Sequence, residues 1–259
     1  MALTLSSAGA SLLLVARTEA GLIETQKMLP GPAEILPLDL SECGAAFTVV
    51  DKARSLWPCL HGVVNNAAIT GPIGFLWQTD ALAWEASLRV NLMVPMDLCR
   101  HTIPWMMECG SGSIVNISGG GAATPRPRFT AYAAAKSAIV RLTETLAQEL
   151  SGTGIRCNAV APGAMNTRML EAVLLAGLEA AGAEEYGKAL QQTEEDSASP
   201  ERAAALCTFL LSDASARISG RLLSARWDCW TTLPEHVEEL GDIYTLRRIV
   251  PADRGKDWS

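Results

Sequence analysis

Tyr132 and Lys136, in TAYAAAKSAIVRL, stand four residues apart and share one face of any helix that holds them. A phenol with a pKa near 10 is a poor acid or base at neutral pH, but an ammonium a few ångströms away favours phenolate and lowers that value by roughly 1–3 pH units. Tyr132 could then act as a general acid–base. A half-buried tyrosine beside a solvated lysine has the same spacing, so the pair alone does not name a reaction.

The surrounding elements must hold such a pair still. Apolar runs rich in Val, Ile and Leu recur at Leu12–Ala16, Glu34–Leu38, Leu60–Asn65, Ser113–Ile117 and Ile155–Ala161, and read as buried parallel strands. Between two of them, Ile139, Leu142, Leu146 and Leu150 fall at helical spacing, and Gly152 and Gly154 stop the helix. Alternating strand and helix predicts an α/β fold, a doubly wound parallel sheet in three layers. No repeat or low-complexity tract divides residues 1–259, so one domain is expected. The Ala- and Glu-rich stretch 170–199, closed by Pro200, suits a lid over a cleft or a plain pair of surface helices. The tail over 227–259 has no clear period and suits an arm packed on a partner subunit.

Composition narrows the function. A 49% hydrophobic, 19% charged chain of 259 residues builds a sizeable core. Its net charge of −7 gives no basic surface for nucleic acid, and no run is long enough for a membrane span. Seven scattered cysteines without a Cys-x-x-Cys pair predict free thiols and a cytoplasmic setting, and three distant histidines offer no metal-ligand spacing.

Around Tyr132 and Lys136 the sequence resembles the short-chain dehydrogenase/reductase family. Leu60–Val64 runs into Asn65-Asn66-Ala67-Ala68, similar to that family's Asn-Asn-Ala-Gly element. Asn91 follows in RVNLMVPM, GSIVNIS precedes the Tyr-x-x-x-Lys pair, and IRCNAVAPGAMNT supplies Pro162-Gly163, Met165 and Thr167, which resemble the nicotinamide-contacting turn. The resemblance implies a Rossmann-type oxidoreductase acting on a small, partly apolar carbonyl or alcohol, assembled as a homodimer or homotetramer. It makes Tyr132 the proton donor and acceptor, Lys136 the group that lowers its pKa and holds the nicotinamide ribose, and Asn91 the holder of a water linking Lys136 to solvent. Asn65, Asn66 and Ala67 would anchor the cofactor. Asp39 and Leu40 match the adenine-side pair, although an Asp capping the next helix reads the same way. At the end of the second family strand Ala16 replaces the usual acid and Arg17 follows, which favours NADP(H) over NAD(H).

Three departures accompany the resemblance. The catalytic serine position falls on Gly119, with Ser118 one residue earlier as the candidate; loss of one oxyanion donor costs about 10²–10³ in rate. Ala68 replaces a glycine. The family's first strand and Thr-Gly-x-x-x-Gly-x-Gly loop would precede Ala2–Ala8, so the expectation is a sheet lacking that strand, with a longer gene product supplying it. A rival expectation is a non-catalytic remnant that keeps dimer surfaces and nucleotide affinity. A sugar-nucleotide epimerase or dehydratase also carries Tyr-x-x-x-Lys, but the chain has no room for the longer C-terminal substrate domain.

Overall fold

The computed structural model describes residues 1–163, 168–194 and 200–257. The chain opens with α1 (Ala2–Ser7), β1 (Leu12–Ala16), α2 (Glu19–Met28), β2 (Ala33–Pro37) and α3 (Ala45–Leu56). It continues through β3 (Gly62–Asn65), α4 (Ala81–Leu88), a π-helical turn over Arg89–Met93 and α5 (Val94–Cys109). Then come β4 (Gly112–Ile117), α6 (Thr130–Glu149), β5 (Ile155–Ala161), α7 (Arg168–Ala181), α8 (Ala183–Glu194), α9 (Pro200–Leu211) and β6 (Leu222–Ser224). All five expected strands form. β6 is too short to announce itself by pattern.

Local chemistry sets the element ends. The Asp80 carboxylate accepts from Ala83 N–H at 2.7 Å and caps α4. Gly110 closes α5 in the left-handed region at φ 77°. Gly154, at φ +79°, admits no side chain, because a Cβ there would lie 2.6 Å from the Gly110 carbonyl oxygen.

All strand pairs are parallel, but they form two sheets, β1-β2 and β3-β4-β5-β6. Helices α1, α2 and α9 cover one face; α3, α5 and α6 cover the other. β4 is buried at every position and its side chains alternate: Val115 and Ile117 join Leu206, Leu210 and Leu223 on the α9 side, while Ile114 joins Met106 and Cys157 on the α5 side. At the division the burial weakens. β1 and β3 are mostly half-buried, and no strand pairs β1 with β3 among the described residues. Amide exchange checks this division: the β1 and β3 N–H groups are expected to exchange well ahead of those of β4 and β5. Equal protection across all four strands would mean that the opening is closed in solution.

The tail, described as far as Asp257, lies along its own chain. Leu222 N–H donates to the Tyr244 carbonyl at 2.8 Å, Leu246 N–H donates to the Glu144 carboxylate at 2.6 Å, and Leu233 and Leu240 join the core under α9. Among the described residues no helix is long and apolar enough to cross a membrane.

The cysteines correct one expectation. Cys59 and Cys109 form a disulfide with Cα atoms 5.7 Å apart, so the seven are not all free thiols. The fold brings the residue ahead of β3 against the last turn of α5, beside the Pro58 carbonyl that accepts from Trp105 Nε1 at 3.2 Å. A separation of 50 residues hides that meeting from any local pattern. Cys99, Cys157 and Cys207 are buried free thiols, and Cys43 and Cys229 are exposed.

Candidate active site

α6 starts at Thr130, so Tyr132 and Lys136 occupy its first turns, directly beyond the carboxyl end of β4. Both are buried, at 4% and 2% exposure. Lys136 Nζ donates to the Ile117 carbonyl at 2.7 Å and lies 5.6 Å from the centre of the Tyr132 ring. Burial holds its pKa down at about 8. Burial also pushes the Tyr132 pKa up, and the cation that opposes this is Arg126, whose guanidinium carbon is 5.7 Å from the ring centre. Lys136, whose ammonium is hydrogen-bonded to Ile117 O, is not among the causes of the Tyr132 shift, in which desolvation dominates.

Gly119 explains its own identity. A Cβ there would stand 2.4 Å from Tyr132 Oη, so the phenol fills the space a side chain would need. Ser118 is 2% exposed, and its Oγ has no hydrogen-bond partner among the described residues. It lines the same cavity as Tyr132 and Lys136. Restoring a serine by Gly119→Ser is expected to lower turnover by about 10²-fold, because overpacking displaces the phenol. Steady-state kinetics of that variant decide the matter, and a gain in turnover would show that position 119 tolerates the hydroxyl.

The other expected residues separate into two groups. Asn66, Pro162 and Gly163 line the cavity with the Tyr-Lys pair. Asn65 is buried; its Nδ2 donates to Asn116 Oδ1 at 2.8 Å and its Oδ1 is unpartnered. Asn116 Nδ2 in turn donates to Thr143 Oγ1 at 2.8 Å, tying β3, β4 and α6 together. Ala67 is exposed. Asn91 sits in the π-helical turn, a distortion often found at functional sites. Its side chain is spent on Ile69: Oδ1 accepts from the amide at 3.1 Å and Nδ2 donates to the carbonyl at 2.8 Å. Any water it holds would rest on its main chain.

Arg17 is exposed at the end of β1, near enough to Asp39 to help lower its pKa. The larger cause is Ser41, whose hydroxyl and amide donate to the Asp39 carboxylate at 2.7 and 2.9 Å, the turn-capping use of that residue. Leu40 packs against Ala46, Val94 and Leu98. Met165 and Thr167 lie outside the described residues, as do 195–199 of the expected lid.

The cavity, about 820 Å³, runs from these groups to α7 and α8. Sequence reasoning missed its outer wall, the Pro-Arg-Pro-Arg run before α6, where two arginines beside a catalytic helix are the available signal. Arg126 Nη2 pairs with Glu185 of α8 at 2.6 Å, and its guanidinium lies over Phe129 at 4.1 Å. Arg128 holds a left-handed backbone, φ 72°, which costs a non-glycine residue about 1–3 kcal/mol.

The inner half of this site fits a nicotinamide riboside. One buried oxygen in its wall, Ser118 Oγ, lacks a partner among the described residues, and Tyr132, Lys136 and Asn66 line the same space at the carboxyl ends of parallel strands. Comparison with known proteins agrees with this chemistry. A family model described as enoyl-(acyl carrier protein) reductase matches residues 1–225. The 3-oxoacyl-[acyl-carrier-protein] reductase FabG of Thermotoga maritima is 31% identical over 78% of this chain and 79% of that protein. A short-chain type dehydrogenase/reductase of Picea abies is 33% identical over 74% and 69%. The crystal structure of a short chain dehydrogenase from Salmonella enterica serovar Typhi superposes with a TM-score of 0.71 at 26% identity, covering 87% of this chain and 89% of that one. With its Tyr-Lys pair at the mouth of a parallel sheet and these relatives along most of its length, the chain belongs to the short-chain dehydrogenase/reductase family of oxidoreductases.

Proposed function

We propose that the chain transfers hydride between NADP(H) and the carbonyl or alcohol of a small, partly apolar substrate. The carrying observation is the convergence of Tyr132, Lys136, Ser118 and Asn66 on one cavity. Bound nicotinamide would supply or accept the hydride. Tyr132, with its raised pKa, is protonated at neutral pH and stands ready to give its proton to a substrate oxygen. Lys136 and Asn66 would hold the ribose, and Asn65 would stiffen the strand end. Ser118 Oγ is the hydroxyl left to orient the substrate oxygen, and the Asn91 main chain the place for a water that returns protons. Pro162 and Gly163 would bound the nicotinamide, with Met165 and Thr167 following them in the sequence. Arg17, beside Asp39 and Leu40, supports a 2′-phosphate over a bare ribose. The reading includes a cytoplasmic setting and a homodimer or homotetramer, the assembly supported by the apolar side chains Phe47 of α3, Met93 of the π-helical turn and Met107 of α5, which are exposed.

The test is a fluorescence titration of the chain with NADPH and NADH, with Lys136→Ala as control. Micromolar NADPH binding, weaker for NADH and weakened by the substitution, is the expected result. Absence of binding would favour the second reading, a non-catalytic family member, for which the divided sheet speaks.

A further inference from the structure

The two arginines of the loop before α6 meet different surroundings. The charge of Arg126 is answered by Glu185, whose carboxylate accepts from Nε at 2.8 Å and Nη2 at 2.6 Å. Arg128 has no carboxylate partner among the described residues. It is nevertheless held in place. Its guanidinium carbon lies 3.5 Å from the centre of the Phe75 ring, and Phe75 stacks on Trp77 at 4.5 Å and 14°. Its Nη1 donates to the Glu179 carbonyl at 2.9 Å, and its own carbonyl accepts from Gly74 N–H at 2.9 Å. The stem passes Gly182, where a Cβ would come within 3.8 Å of Arg128 Cγ.

A left-handed, half-buried arginine is thus clamped between the Gly74-Phe75 loop and the end of α7, with its charge unanswered among the described residues, in the wall of the cavity that holds Tyr132. Strained backbone of this kind persists where the surroundings fix it, and it gathers at binding sites. The wider field has the same sign: five basic side chains line the cavity against two acidic ones, in a chain of net charge −7. A fixed guanidinium has most of its N–H donors left and matches a carboxylate in plane. We infer that Arg128 determines specificity by anchoring a substrate carboxylate, so that the chain acts on oxo or hydroxy acids whose apolar bodies lie toward Met169, Leu170 and Val173 of the same cavity. This inference rests on the oxidoreductase reading and names its substrate class.

Isothermal titration calorimetry with aliphatic oxo acids of graded length and their methyl esters tests it. The acids are expected to bind about 10- to 100-fold more tightly than the esters, the worth of a charged hydrogen-bonded pair. Arg128→Leu should remove that gap and leave ester affinity unchanged, Arg128→Lys should keep part of it, and Arg126→Lys, which keeps a cation against Glu185, should keep it whole. Equal binding of acid and ester, binding of neither, a gap that survives in Arg128→Leu, or one lost equally in Arg126→Lys would overturn the assignment. A chain that prefers acids yet binds no NADPH and turns over nothing would instead sink the oxidoreductase reading. Equal turnover of acids and esters with NADPH would sink Arg128 alone.

Discussion

Tyr132→Phe is expected to lower carbonyl reduction by about 10²- to 10⁴-fold, the usual worth of a positioned proton donor, while NADPH binding is unchanged. The ring keeps its packing, so the loss reports the hydroxyl alone. Desolvation raises the Tyr132 pKa, and this gives the reaction a direction-dependent pH profile. Reduction needs the protonated phenol and should stay level from neutral pH into the alkaline range; oxidation needs phenolate and should climb with pH. Parallel rate measurements in both directions, on parent and variant, check both statements. A variant that retains parental rates would show that another group moves the proton.

Lys136→Met is expected to abolish turnover and, at the same time, to stabilise the protein. Burial takes the lysine from its ordinary 10.5 to about 8, equivalent to roughly 3 kcal/mol of disfavoured charge. Loss of its bond to Ile117 O returns about 1 kcal/mol or somewhat more, leaving a net gain of about 1–2 kcal/mol at neutral pH. The sign with pH follows. Below about 8 both folded and unfolded lysine are charged and the penalty is complete. From about 8 to 10.5 the folded form loses its proton first, so parental stability rises relative to the variant, and above 10.5 the charge penalty is gone and only the bond to Ile117 O, which favours the parent, remains. Urea denaturation across that window measures it. A variant less stable than the parent at neutral pH would mean that Lys136 is stabilised by partners other than Ile117.

The legible parts of this chain were those written in local spacing. β4 and β5 are announced by continuous apolar runs because both faces are covered, and Tyr132 and Lys136 by a helical interval. Asn116 was not singled out, since its value lies in reaching Asn65 and Thr143 on two other elements, 51 and 27 residues away. Gly119 read as a lost serine; only the position of Tyr132 Oη shows that the space is filled. Asp39 read as either an adenine-side residue or a helix cap; it accepts from Ser41 instead of capping α3, whose N-cap is Gly44. Arg128 was unread because neither its backbone angle nor its seat on Phe75 leaves a periodic trace.

The Cys59–Cys109 link acts on the denatured chain as much as on the native one. It closes a loop with a sequence separation of 50 residues, and a loop of that order removes about 4 kcal/mol of unfolded-chain freedom in the polymer model. Inside that loop lie β3, Asn65, Asn66 and Asn91, so the crosslink secures the strand that borders the divided sheet. The protein therefore has two stabilities, one oxidised and one reduced. Preparations handled with and without a thiol reductant should melt at different temperatures, and in a compartment poised by glutathione the lower value is the working one.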